Sequence, residues 1–555
     1  MVISKGDKVF MKIFSPMLFS DLKTYNKKQF LSDLIAGIIV AVIALPLSIA
    51  LAIASGVAPE AGIYTAVIAG FLAALLGGSN VQISGPTAAF ATIVAGVVAK
   101  NGLGGLALAT IMAGVLLVIM GFFKLGNLIR FIPFTITTGF TAGIAVTLLI
   151  GQLKDFFGVT YMGTEAPIET LEKLEAFISN ITTINIEAFA VGAVCLGILI
   201  IWPKIYDKIP ASLIAVLAGV LMVEGFNMNV NTIGDLYTVK SGLPTFTMPE
   251  LSLSAVTEVF PDALTIAVLA GIESLLSCVV ADGMVGKKHR SNTELIAQGA
   301  ANIGSALFGG IPATGAIART AANIKNGGRT PVSGIVHSVV LVLVLVALMP
   351  YAAYIPMPAI AAILISVAYN MCGWRQFVTL VKESPKSDIL ILIATFVLTV
   401  VFDLVVAIEV GIIATCILLM KRMTDETSVR EWTYIKNDEN SQDVDLMNVP
   451  KHISVYELNG PMFFAVSSQI NMIKPKDFTR CIILRMRAVL SIDADAIRQF
   501  EKLVKACSEK GVTIIFSHVN EQPMRAMKKS GLYDTVGEEN FCENISAAME
   551  RAVNM

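Results

Sequence analysis

The chain has 555 residues, 55% of them hydrophobic and only 15% charged, with a formal net charge of -1. Soluble domains run at roughly 45–50% apolar and about 25% charged, so the composition excludes an ordinary soluble protein. The near-zero total charge identifies no partner, and the seven cysteines form no CxxC or Cys/His cluster, which argues against a metal site.

Residues 1–29 are polar and basic and are followed by an apolar run too long for a cleavable signal, so they are expected to form a cytoplasmic N-terminal segment. The apolar surplus lies in residues 30–421, the expected transmembrane domain. Crossing ~30 Å of hydrocarbon takes ~20 apolar residues in a helix. Such runs begin near Leu34, Ala61, Leu106, Phe131, Ala188, Ala211, Ala263, Ile296, Pro331, Ala359, Ile389 and Leu404. Two shorter, interrupted segments, 87–98 and 314–324, bring the expected number to fourteen. Asp33, ahead of the first run, reads as a helix N-cap.

Basic residues fall in alternate loops: Lys5, Lys8, Lys12, Lys23, Lys27 and Lys28, then Lys124 and Arg130, Lys204 and Lys208, Lys287 to Arg290, Lys325 and Arg329, Arg375, Lys382 and Lys386, and Lys421 with Arg422. That pattern predicts a multi-pass protein of the plasma (inner) membrane with both termini cytoplasmic. The interrupted segments are the third and tenth, each third in its half, so repeats of about 30–224 and 261–421 would have opposite orientations. Interrupted segments at matching positions of inverted halves point to a transporter's binding site.

The first reads Gln82-Ile83-Ser84-Gly85-Pro86-Thr87-Ala88-Ala89-Phe90, and the second runs from Gly309 through Pro312, Thr314, Gly315, Ala316 and Ile317 to Arg319. A residue before proline avoids the helical region and proline favours a first helical position, so each segment predicts a half-helix starting at mid-membrane depth. Free N–H groups at the two helix starts, the first around Pro86, Thr87 and Ala88, form an anion site without a side-chain charge. The competing account is a pair of ordinary proline kinks. Arg319 adds positive potential near the anion or pairs structurally with carbonyls or a carboxylate.

Glu273, in Gly271-Ile272-Glu273-Ser274-Leu275-Leu276-Ser277, is an expensive carboxylate inside the eighth segment, with Ser277 one turn on along the same face. Three uses stay open: proton uptake and release, a Na⁺ site with Ser277, and a pair with Arg319. After a charged linker, 422–450, short β-branched runs at 452–458, 481–485 and 512–516 alternate with helical periodicity at 494–508 and 522–530. Residues 451–555 therefore predict a small cytoplasmic α/β domain without a phosphate loop or catalytic constellation, and the chain does not read as an enzyme.

The run Asp33-Leu34-Ile35-Ala36-Gly37, Ala44-Leu45-Pro46-Leu47-Ser48, Gly62-Ile63-Tyr64-Thr65, Ile83-Ser84-Gly85-Pro86-Thr87 and the 309–319 segment resemble the sulfate permease family over nearly the whole chain. The C-terminal domain is similar to STAS domains. The resemblance implies seven-plus-seven inverted repeats in core and gate bundles, a homodimer, elevator-like movement, and substrate held between the third and tenth segments. Thr87 and the backbone at Gly315, Ala316 and Ile317 match positions at that site. A sodium–bicarbonate member of the family has Asp and Thr where this chain has Glu273 and Ser277. The Glu is similar to the proton-linked dicarboxylate branch. Phospho-regulated STAS domains carry Asp-Ser-Ser-Gly, where this chain reads Asp493-Ala494-Asp495-Ala496, so Asp495 stands at the acceptor position, rules out phosphorylation there, and either mimics the modified state or simply favours a helix dipole.

The expected function is secondary transport of a small inorganic anion or C4-dicarboxylate by H⁺-coupled symport, without an organic cofactor. Na⁺-coupled symport, anion exchange and a membrane-tethered STAS regulator with a cytoplasmic protein partner are the alternatives. Nothing in the sequence suggests a nucleic-acid partner.

Overall fold

The computed structural model describes residues 14–127, 133–162, 167, 169–206, 209–239, 242–249, 252–402, 404–432 and 449–555. Lys5, Lys8, Lys12, Arg130 and Lys208 lie outside them. The chain divides into two units, Met1–Ile412 and Ile413–Met555.

A helix stands in each of the fourteen apolar segments, and among the described residues seven helices are long and apolar enough to cross a membrane. The first half holds α1 (Lys27–Ala54), α2 (Pro59–Leu76), strand β1 (Ser84–Gly85), α3 (Ala88–Phe122), α4 (Phe134–Phe157), α5 (Ile186–Ile205) and α6 (Ala211–Phe226). The second holds α7 (Leu253–Val285), α8 (Ser291–Leu307), β2 (Thr314–Gly315), α9 (Ile317–Lys325), α10 (Val332–Ala347), α11 (Met357–Cys372), α12 (Lys386–Val401) and α13 (Leu404–Glu426). The third and fourth segments share α3, which breaks at Gly102 with φ 67° and ψ -173°, a conformation that needs glycine.

Helix α1 starts well before its apolar run. Asn26 is its N-cap and accepts the Gln29 N–H at 2.9 Å. Asp33 is therefore not a cap: it lies inside the helix, fully buried, because cap geometry rather than hydropathy sets the start. It accepts from the Tyr25 hydroxyl (3.1 Å), Gln29 Nε2 (3.2 Å) and the Arg329 N–H (2.8 Å), which straps the first helix to the segment after the tenth.

Packing separates the helices into two groups. Helices α1, α2, α3, α7, α8, α9 and α10 form one, and α4, α5, α6, α11 and α12 the other. Small residues permit the close approaches. A Cβ on Gly114 of α3 would lie 2.6 Å from the Gly299 carbonyl oxygen of α8, and one on Gly139 of α4 would lie 2.7 Å from that of Leu392 in α12.

The second unit carries a five-stranded sheet in the order β3 (Ser428–Trp432), β4 (Ile453–Asn459), β5 (Cys481–Ala488), β6 (Thr513–Ser517), β7 (Phe541–Cys542). The β3–β4 pair is antiparallel and the others parallel. Helices α14 (Ala494–Ser508), α15 (Glu521–Ser530) and α16 (Ile545–Val553) complete it. Alternation divides β5 between two cores: Ile482 and Leu484 pack with Phe500 and Phe516, whereas Ile483 packs with Val455, Ile515 and Ala548. The Phe500 and Phe516 rings meet edge to face at 5.7 Å. Strand β3 lies where the sequence suggested linker, and 433–448 are outside the described residues. Short β3 and β7 owe their strand state to neighbours more than to local pattern.

Candidate functional site

The two interrupted segments meet. Strands β1 and β2 pair antiparallel, Ser84 opposite Gly315 and Gly85 opposite Thr314, and the Ala316 N–H donates to the Ile83 carbonyl at 2.8 Å. Each strand leads into a helix, α3 from Thr87 and α9 from Ala316. The first N–H groups of a helix have no intrahelical partner. A threonine at N-cap ordinarily gives its oxygen to one of them, yet neither Thr87 nor Ala316 makes a side-chain cap. Among the described residues, the N–H groups of Ala88, Ala89, Ile317 and Ala318 have no protein acceptor. Those of Gly315 and Ala316 are occupied by Ser274 Oγ (3.0 Å) and the Ile83 carbonyl, so the free donors in the second half begin at Ile317. Ile317 is 44% exposed, and Ala318 is exposed beside it.

The Thr87 hydroxyl turns away from its own helix and donates to Glu273 Oε2 at 2.9 Å. Both residues are half-buried. Glu273 makes no ion pair with Arg319 among the described residues. Arg319 is 1% exposed, and its Nη2 donates to the Pro86 carbonyl (3.2 Å) and Ser48 Oγ (3.3 Å). Its charge thus lies behind the start of α3, on the carbonyl preceding Thr87. A Cβ on Gly85 would come within 2.6 Å of Arg319 Nη1, so glycine leaves room for the guanidinium. Ser277 is buried, and its hydroxyl donates to Thr320 Oγ1 at 3.4 Å. The geometry therefore joins Glu273 to Thr87 and Ser277 to Thr320, as two separate pairs.

Sequence reasoning missed the residues that hold the paired strands. Ser274 hydrogen-bonds Thr314 Oγ1 (2.7 Å) and accepts from the Gly315 N–H. Asn302 clamps Ala313, donating to its carbonyl and accepting its N–H, both at 2.9 Å. Glu294, 1% exposed, accepts from the Gly78 N–H, Gln82 Nε2 and Gln298 Nε2, each at 2.8 Å, and Gln298 also donates to Ser84 Oγ. Glu294 and Gln298 are four residues apart in an apolar run, a polar helix face that was there to be read.

A cleft of about 910 Å³, lined by Glu60, Tyr64, Lys100, Asn101 and Glu258 among others, includes none of the predicted site residues. In the second unit, Asp493 is the N-cap of α14: it accepts from the Ala496 N–H (2.9 Å) and the Phe464 N–H (2.8 Å). Asp495 is exposed in the helix's first turn.

The sequence profile of the sulfate permease family matches residues 30–395. The chain belongs to the sulfate permease family. The STAS domain profile matches residues 446–548. Among relatives of this family, the putative sulfate transporter YvdB of Bacillus subtilis is 39% identical over 94% of this chain and 98% of its own. The bicarbonate transporter BicA of a Picosynechococcus species is 32% identical over 90% of each chain. In three dimensions the transmembrane domain of a cyanobacterial BicA matches with a TM-score of 0.61 and 30% identity, over 70% of this chain and 98% of that one. The murine solute carrier 26 family member A9 anion transporter, in its inward-facing state, matches with a TM-score of 0.88 over 100% and 96% of the chains. At 17% identity that likeness establishes the fold alone.

Proposed function

We propose that this chain is a secondary transporter that carries a small oxyanion, of the sulfate or bicarbonate class, together with a proton. The observation that carries the reading is the Thr87–Glu273 hydrogen bond beside uncapped helix starts. The ends of α3 and α9 offer N–H donors and the positive ends of two helix dipoles, which favour an anion by charge and size. Arg319 adds a cation behind them. With Glu273 ionised, the Thr87 hydrogen is committed to the carboxylate and a negative charge stands next to the anion. With Glu273 protonated, the carboxyl donates to Thr87 Oγ, and the Thr87 O–H turns to the anion. Anion and proton therefore bind together and leave together.

Support for a proton over Na⁺ comes from Ser277, whose hydroxyl is spent on Thr320 instead of joining Glu273 in a common oxygen cage. Sodium and calcium-like cations need several converging oxygens. The alternating basic loops support a cytoplasmic location for both termini. The division into two helix groups, with β1 and β2 bonded inside one of them, supports movement of that group as a body, in the elevator manner.

The test is uptake of labelled sulfate, bicarbonate and fumarate into proteoliposomes with a pH gradient or a Na⁺ gradient imposed separately. Accumulation of sulfate or bicarbonate driven by the inward proton gradient alone is the expected result. Accumulation that requires Na⁺ would overturn the coupling, and fumarate as the only substrate would overturn the anion class.

A further inference from the structure

Between α11 and α12 runs a ten-residue helix, Trp374–Glu383, with none of its residues buried by protein. Trp374, Phe377, Val378 and Val381 recur at the spacing of one helical face, while Arg375, Gln376, Thr379, Lys382 and Glu383 occupy the other. One aromatic anchors it: Phe377 meets Phe396 of α12 edge to face at 5.5 Å. Beside it is an apolar groove of about 310 Å³, lined by Ala145, Val146 and Leu149 of α4, Ala368, Tyr369 and Cys372 of α11, and Trp374. Its mouth is polar. The Trp374 indole N–H donates to the Tyr369 hydroxyl at 3.1 Å, and the Arg375 guanidinium lies 5.5 Å from the indole ring centroid. Arg375, Lys382 and Lys386 are exposed and make no ion pair among the described residues.

We infer that this groove and helix form a binding site for an anionic glycerophospholipid. Its acyl chain lies in the groove between α4 and α11, and its phosphate sits at Arg375, within reach of Lys382. The groove is apolar along membrane-crossing helices, so hydrocarbon is what surrounds it. An amphipathic helix with its apolar face only partly covered by protein lies in the headgroup boundary, and tryptophan and tyrosine mark that depth. Unpaired cations at the mouth select a negative headgroup over a zwitterionic one. The groove lies in the helix group that does not contain Thr87, Glu273 and Arg319, so the site is separate from the anion site.

The experiment is native mass spectrometry of the full chain released from nanodiscs containing equal parts phosphatidylglycerol and phosphatidylcholine. Wild type is expected to retain phosphatidylglycerol preferentially. Each cation near an anionic headgroup contributes about fivefold, so the Arg375→Ala/Lys382→Ala protein loses about thirtyfold in affinity. Leu149→Trp, at a groove residue 38% exposed, blocks the acyl chain and lowers retention with the cations in place. A Lys204→Ala/Lys325→Ala protein, carrying the same charge change elsewhere, keeps wild-type retention. Equal retention of both lipids by wild type would overturn the inference. So would unchanged retention in the Arg375/Lys382 or Leu149 variants, or equal loss in the control.

Discussion

Replacing Glu273 with Gln removes the charge that the proposed coupling turns on and keeps the shape. The carboxylate oxygen lies 2.9 Å from Thr87 Oγ1, and an anion oxygen accepting from that hydroxyl adds ~2.8 Å. Two like charges ~5–6 Å apart repel by about 3 kcal/mol at an effective dielectric constant of ~20, roughly a hundredfold in affinity. In the wild-type protein, anion affinity therefore falls as the pH rises and Glu273 gives up its proton, by up to about a hundredfold. The Glu273→Gln protein is expected to bind with the low-pH affinity at every pH and to lose proton-driven accumulation, while keeping exchange of internal for external anion. Isothermal titration calorimetry between pH 5 and 8, alongside proteoliposome uptake, separates the two effects. A Glu273→Gln protein whose affinity still follows the wild-type pH curve, or one that still concentrates anion on a proton gradient, would refute the reasoning.

Three further outcomes follow from the same geometry. Gly85→Ala puts a Cβ 2.6 Å from Arg319 Nη1 and pushes the guanidinium off the Pro86 carbonyl. Losing that charge-assisted bond, worth about 1.5–3 kcal/mol, should raise the anion Kd about tenfold to a hundredfold with the fold intact; an unchanged Kd in titration calorimetry would count against it. Ser274→Ala removes the acceptor for the Gly315 N–H and the partner of Thr314 Oγ1, at a cost of about 1–3 kcal/mol, read as a lower Tm and a raised KM in uptake assays. Phe500→Ala empties a fully buried position against Phe516 and should destabilise the C-terminal unit by about 3–5 kcal/mol. Hydrogen exchange of the full chain should then rise over strands β5 and β6 while anion binding is retained.

The existence of the two half-helices was legible because their signal is local: Pro86 and Pro312 among small residues, at matching places in the two halves. Neither half-helix starts at its proline, however: α3 starts after Thr87 and α9 after Ala316, with Thr314 and Gly315, which follow Pro312, drawn into β2. Their strand pairing was not legible, since Ser84 and Gly315 are far apart in the chain and each strand has only two residues. The residues that hold those strands were hidden for the same reason. Ser274 and Asn302 are polar positions on apolar helices, and only their partners in space distinguish a clamp from a tolerated side chain. Asp33 shows the opposite failure: a good cap residue beside an apolar run looks like a helix start, but Asn26 provides the cap about two turns earlier. Ser277 shares a helix face with Glu273, and its buried hydroxyl nonetheless goes to Thr320, because neighbouring elements decide where a hydroxyl points.

Strands β1 and β2 are bonded backbone to backbone, so neither half-helix shifts without the other. In the proposed transporter, an anion seated between them would meet the same donors whichever side of the membrane is open. Its intrinsic affinity is then nearly the same on both faces, and nothing in the seat itself favours one direction. In the proposed symport, net accumulation comes from the concentration difference of the coupling ion. When that difference is zero, such a protein would let its substrate level out across the membrane, as readily outward as inward.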